Sequence, residues 1–242
     1  VSPPACEIAL IGVAGLYPGA PDVSTLWDNI LAGREAVTDA PESWNAARFH
    51  DPGAGGHDNT RTYCRRGGFI EPFAEFDPVE FGIMPNSVDG SDPGHFLCLR
   101  VAGEALADAG YLKRPFARDR TGVIVGHGSY PHRGLLGSIS HGMAGNFCSL
   151  LRDLLPDIPA GTLRTLEEKL KARLPPSTPD TCPGLVSNLL SGRIANRFNL
   201  MGPNYLVDAA CASSIVALDA GMRELRDGRC DMALVGGAQE NT

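Results

Sequence analysis

The chain reads as an α/β protein with a mostly parallel sheet covered on both faces. Apolar runs at Glu7–Val13, Thr121–Gly126, Asn204–Val207 and Asp231–Val235 are short and lack a polar face, the mark of strands buried on both sides. Segments of helical period alternate with them, at Phe96–Ala109, Leu163–Leu174, Leu185–Phe198 and directly after Cys211. Gly and Pro punctuate the joins.

In chain order, Glu7–Val13 is expected as a buried strand closed by the Gly15–Pro21 turn region. Ser24 is placed to cap a short helix through Leu31 that Gly33 ends. Thr38–Gly68 is polar and rich in Gly, Pro, Asp and Asn, and reads as a long surface excursion. Leu97, Val101, Ala105 and Leu106 fall on helical spacing, and Gly110 stops that helix. After the Thr121–Gly126 strand comes a helical insert containing the Glu167/Lys171 pair at i,i+4. Pro175-Pro176 breaks the chain. Leu185–Phe198 is a further helix leading into the strand Asn204–Val207, the helix Ser213–Arg226 and the strand Asp231–Val235. No internal repeat or low-complexity linker occurs.

Composition excludes several function classes. The 242 residues are 43% hydrophobic and 20% charged, as in ordinary globular proteins. Twenty-one Lys and Arg against 28 Asp and Glu give a formal charge of −7, which argues against nucleic acid as the main partner. Arg61, Arg65 and Arg66 form a local cluster that reads as a solvated loop. The seven cysteines are scattered, odd in number and without C-x-x-C spacing, so neither a metal site nor a disulfide framework is expected. No apolar run reaches membrane-spanning length, and the start lacks a basic-then-apolar signal. A cytoplasmic protein with no membrane association is expected.

The run Val207-Asp208-Ala209-Ala210-Cys211-Ala212-Ser213-Ser214 is the chemical signal. It places Cys211 between a strand and a helix, where unpaired N–H groups and the helix dipole favour a thiolate. A thiolate with small neighbours is a nucleophile for covalent acyl chemistry. Position alone leaves a second reading open, a small buried cysteine that fills space. Asp208 is expected to orient the turn through backbone N–H groups, and Ser213 and Ser214 to cap the helix start. No Lys-Ser/Thr follows Gly236-Gly237, so that pair reads as close packing rather than a phosphate loop. His50 and His57, with Asp51 and Asp58, read as solvated loop rather than metal ligands, and His127 as structural.

The stretch Gly202–Ala238 resembles the active-site region of β-ketoacyl synthases of the thiolase superfamily. That family's Gly-Pro, Asp-(Thr/Ala)-Ala-Cys, long helix and strand ending in Gly-Gly are met by Gly202-Pro203, Asp208–Cys211, Ser213–Arg226 and Ala233–Gly237. Ile8–Gly12 with Tyr17–Ala20, Phe76-Asp77-Pro78 with Phe81-Gly82-Ile83, and Ser191–Ala195 resemble further family segments in the same order. Ile83–Ser87, the long segment between Gly128 and Pro183, and Cys211–Ser214 look most like iterative multidomain polyketide and polyunsaturated-fatty-acid synthases.

The resemblance implies a thiolase-like fold of α-β-α-β-α layers, with residues 1–242 as its nucleophile-bearing N-terminal half and the C-terminal half absent. It implies Cys211 as the acyl acceptor in decarboxylative Claisen condensation of acyl and malonyl thioesters, and a homodimer joined through Asn204–Val207. The substrates would ride on the phosphopantetheine of an acyl carrier protein, with no bound cofactor and no metal. Two histidines that stabilise the enolate belong to motifs of the second half, and none of the six histidines here matches them, so residues 1–242 alone are not expected to condense. Met143 and Phe147 lie where the family often lines an acyl pocket near the subunit boundary, although core packing is the plainer expectation. Two other readings stay open: a non-decarboxylating thiolase-type acyltransferase, and an inactive dimerisation half. Retention of Cys211 speaks against the second.

Overall fold

The computed structural model describes residues 8–54, 60–88, 91–128, 133–174, 178–179 and 182–239. The chain divides into two compact units.

The smaller unit holds residues 10–75 and 103–113. Its helix α1 (Val23–Leu31) is capped by Asp22, whose carboxylate accepts from the Thr25 N–H at 2.7 Å. The cap is therefore Asp22 and not Ser24, because a carboxylate at the extended residue before the helix reaches the open N–H groups. Gly33, at φ +62°, ends the helix as expected. Two short strands, β1 (Val37–Asp39) and β2 (Arg66–Gly68), pair antiparallel across the base of the polar excursion, with α2 (Ala46–Phe49) between them. Every arginine of the Arg61/Arg65/Arg66 cluster is engaged locally. Arg61 donates to the Arg48 carbonyl, Arg65 pairs with Asp39 and Arg66 with Glu35. The backbone of His50 closes α2, its N–H on the Ala46 carbonyl at 2.7 Å, and bridges to Thr62, and no three His, Cys, Asp or Glu side chains converge among the described residues. His57 and Asp58 lie outside those residues.

One expectation is overturned at the start of the chain. Ile8–Val13 is not a strand, and Leu10, Ile11 and Val13 are 82%, 48% and 47% exposed. A strand needs a ladder for its backbone. Here the Val13 N–H is instead taken by the Asp108 carboxylate at 2.9 Å.

The larger unit carries the sheet. Helix α3 (Pro93–Asp108), of which residues 93–102 belong to this unit, begins three residues before Phe96, and Gly110 of the smaller unit, at φ +77°, follows it. Strand β3 (Thr121–His127) is buried at every residue. The insert comprises α4 (Arg133–Leu154) and α5 (Ala160–Lys171), with Lys171 on Glu167 at 2.5 Å. Pro175 and Pro176 lie outside the described residues. Helix α6 (Leu189–Phe198) starts four residues after Leu185, which closes a 3-10 turn from Cys182. Strand β4 (Asn204–Val207), helix α7 (Ser213–Arg226) and strand β5 (Met232–Ala238) complete the order.

The three longer strands form a parallel sheet in the order β4-β3-β5. Alternation along β3 assigns its two faces. Val123 and Val125 pack with Leu99 of α3 and Leu190, Ile194 and Ala195 of α6. Ile124 turns the other way, toward α7 at Gly221. The sheet is thus covered on both sides, as the two-faced apolar runs predict.

Candidate active site

Parallel α/β sheets place ligand sites beyond the carboxyl ends of their strands. Strand β4 ends there at Val207, and Asp208-Ala209 leads into a 3-10 turn, Ala210–Ala212, that runs straight into α7. Cys211 occupies the middle of this turn and is exposed.

The turn is built by hydrogen bonds that sequence alone suggests only in part. Ala210 has φ +50°, a left-handed conformation that costs an alanine about 1 kcal/mol. Its N–H donates to the Asp208 carboxylate at 3.0 Å, the orienting role expected of that residue. Its carbonyl accepts from the Ser213 hydroxyl at 2.7 Å, and the same hydroxyl accepts the Ala209 N–H at 2.9 Å. Ser213 therefore staples the turn, and α7 has no side-chain cap. Ser214 is exposed on the next position.

Close approach of α7 to the strand ends seats the turn. A Cβ at Gly126 would run into the Ser213 carbonyl, and one at Gly237 would lie 2.6 Å from Ser214 Cβ. Close packing is thus the role of Gly237, whereas Gly236 faces open space. His127 ends β3 and is buried, in keeping with a structural role.

The sheet-facing stripe of α7 is Ser213, Ala217, Gly221 and Glu224, all buried. The large apolar residues of its periodic pattern point away, with Ile215 68%, Val216 38% and Leu218 47% exposed. Small residues take the inner face because the helix lies so near the strands. Met143 and Phe147 of α4 are also outward, at 62% and 49% exposure, which overturns the core-packing expectation for them.

The hydrogen-bond partners of Glu224 were not legible in the sequence, although a carboxylate on the small-residue stripe was a readable anomaly. The Tyr205 hydroxyl donates to it at 2.8 Å and Arg229 Nε at 2.5 Å. Burial and the bond to Glu224 push the Tyr205 phenol up to about 12. Arg229 holds the Glu224 carboxyl below its ordinary value. Cys230, at the foot of β5, is buried, and burial pushes its thiol up. Cys64 and Cys211 are exposed thiols, Cys98 is half-buried, and Cys148 and Cys230 are buried.

The arrangement is that of an α/β protein with an exposed cysteine at a strand-to-helix turn beyond the carboxyl end of a parallel sheet. The chain belongs to the β-ketoacyl synthase family, whose N-terminal domain profile matches residues 5–242. It is 34% identical over 238 residues to a polyunsaturated fatty acid synthase component of Thraustochytrium, covering 95% of this chain and 8% of that protein. It is 35% identical over 242 residues to the spectinabilin polyketide synthase system protein NorC of Streptomyces orinoci, covering 98% of this chain and 9% of that protein. The oxazolomycin ketosynthase domain OzmH KS7 of Streptomyces albus superposes with a TM-score of 0.69 at 27% identity, over 98% of this chain and 35% of that one. The fold is thus of the ketosynthase, thiolase-like class. The chain spans under a tenth of these two synthases and about a third of the solved domain.

Proposed function

We propose that this chain supplies the nucleophile of a ketosynthase that extends carrier-bound acyl chains in polyketide or polyunsaturated-fatty-acid biosynthesis. The observation that carries this is the exposed Cys211 in a turn whose left-handed Ala210 is held by Asp208 and Ser213. Such strain persists where the surroundings over-determine it, and it clusters at active sites.

The Cys211 sulfur attacks the carbonyl of an acyl thioester presented on the phosphopantetheine arm of an acyl carrier protein. The Cys211 N–H supplies half of an oxyanion hole for the tetrahedral intermediate. Collapse expels the phosphopantetheine thiolate and leaves the acyl group on sulfur. A malonyl thioester then loses carbon dioxide, its carbanion attacks the acyl carbonyl, and Cys211 departs as thiolate. The histidines that stabilise the enolate come from the second half of the domain. The exposed Ile215, Val216 and Leu218 on the outer face of α7 support that arrangement, since a helix packed on a sheet by one side and carrying large apolar residues on the other belongs in a middle layer.

The enzyme works as a homodimer joined edge to edge at β4. The Val123 N–H donates to the Pro203 carbonyl at 2.8 Å. In a parallel ladder that pattern turns residues 205 and 207 toward β3 and leaves the Leu206 N–H facing outward, ready for a second strand. The outward Met143 and Phe147 support a place for them beside an acyl pocket at that subunit boundary. No helix among the described residues is long and apolar enough to cross a membrane.

Acyl loading is the test. The intact protein is incubated with an acyl carrier protein bearing an acyl thioester, digested and mapped by mass spectrometry. The acyl mass is expected on the Cys211 peptide and is lost in Cys211→Ala. Acylation that survives that substitution overturns the proposal.

A further inference from the structure

We infer that Tyr205, Glu224 and Arg229 are positioning residues that aim the Cys211 turn by fixing the far end of α7. The inference rests on Cys211 being the acyl acceptor.

Glu224 is 6% exposed and occupies the inner stripe of α7 where the other members are Ser213, Ala217 and Gly221. A carboxylate in such a place is costly unless its oxygens are bonded, and an apolar side chain would pack there at no such cost. Each oxygen has its own donor. Tyr205 Oη serves Oε1 at 2.8 Å and Arg229 Nε serves Oε2 at 2.5 Å.

Both donors are themselves held in place. Gly228, at φ +68°, closes α7 with its N–H on the Leu225 carbonyl at 3.1 Å, and the Arg229 N–H returns to the Glu224 carbonyl at 3.0 Å. This is a Schellman closure, and it sets Arg229 beside Glu224 before the side chains pair. Tyr205 lies opposite Ile124 in the ladder, on the sheet face that α7 covers. Its hydroxyl therefore bridges the strand that enters the turn and the last turns of the helix that leaves it.

The strand-turn-helix unit is consequently pinned twice. At its near end are the Asp208 and Ser213 bonds and the seat against Gly126. At its far end is the Tyr205–Glu224–Arg229 cluster, about 16 Å along the helix from Ser213. With one pin, α7 can swing about its contact with β3. With two, its axis is set, and so are the directions of its first N–H groups and of the Cys211 sulfur.

Acyl transfer needs sulfur and oxyanion donor aligned together, whereas alkylation needs only an accessible thiolate. The experiment compares both on Cys211 in the intact protein, using an acyl pantetheine thioester and iodoacetamide. Tyr205→Phe, which keeps the ring, and Glu224→Ala are each expected to slow acylation about tenfold, since sub-ångström misplacement carries losses of that order. Alkylation is expected to be unchanged, and Glu224→Gln, which keeps an acceptor oxygen, is expected to recover most of the acylation rate. Wild-type acylation in both Tyr205→Phe and Glu224→Ala would overturn the inference. So would acylation and alkylation falling by the same factor, the sign of simple destabilisation. A wild-type Cys211 that alkylates but takes no acyl group would instead refute the functional reading beneath it, and the inference with it.

Discussion

Substituting Gly126 by alanine tests the seating of the nucleophile turn most directly. Gly126 lies between Val207 and Gly237 in the ladder, so β3 cannot slide away from its neighbours. The added Cβ would stand 2.7 Å from the Ser214 nitrogen and closer still to the Ser213 carbonyl, both backbone atoms. Ordinary contact begins near about 3.5 Å, so the start of α7 must retreat by about 0.8 Å or more. Overpacking of this kind costs about 1–3 kcal/mol, or roughly 5 °C in melting temperature for a chain of this size. Because Ser213 also staples Ala209 and Ala210, the retreat reaches Cys211, and acylation is expected to fall by about tenfold to a hundredfold. Thermal melts and timed acyl loading of the intact protein read the two effects. Gly142→Ala is the matched control, because nothing lies within 4 Å of the added methyl on α4. It should stabilise by about 0.5–1 kcal/mol and leave loading unchanged. A Gly126→Ala protein that melts and loads like wild type would refute the close-seating argument.

Three further outcomes are expected. Limiting iodoacetamide should label Cys211 ahead of Cys64, which is also exposed, and leave buried Cys230 unmodified; preferential labelling of Cys64 or Cys182 by peptide mapping, with Cys211 untouched, would count against the assignment. Leu206→Pro removes the outward N–H of β4 and should convert a sedimenting dimer to monomer at micromolar concentration, with loss of acyl loading, because the same strand leads into the turn; an intact dimer would rule out pairing through β4. Tyr205, raised from 10.0 to about 12, contributes stability that is complete below pH 10 and lost as pH rises through 12, so denaturant midpoints at pH 9 and 11 should differ more in wild type than in Tyr205→Phe. Equal differences in the two proteins would show that the phenol is not perturbed.

How far the sequence foretold this arrangement depended on whether each signal was local. Strand β3, helix α3 and the passage from β4 through Cys211 into α7 were legible, because burial on both faces, helical period and a small-residue run are written in consecutive residues. The strands β1 and β2 were not, being three-residue pieces of polar and glycine-rich chain whose pairing closes a long excursion. Ile8–Val13 carried a strand's composition, yet its backbone went to a side chain on α3 and not to a ladder. Within the site, Asp208 was readable from its place three residues before the cysteine. The left-handed Ala210 was not, since alanine ordinarily avoids that region and the reason lies in bonds from both flanks. Glu224 needed the pairing of β4 with β3 and the end of α7 before its partners came into view.

The inner stripe of α7 also acts as a spacer whose thickness is set one methyl at a time. Ala217 is wholly buried, and a Cβ at Gly221 would press on the Val235 side chain, so the middle of the helix lies close on the sheet. Adding volume at either position lifts the middle of the helix while Ser213 stays anchored, which tips the cysteine-bearing end relative to the strands. Reactivity at Cys211 is thereby open to adjustment by bulk two or three helical turns away, at residues that never meet a substrate. Related chains that differ in the gauge of this stripe are expected to differ in acylation rate while keeping the same residues around the sulfur.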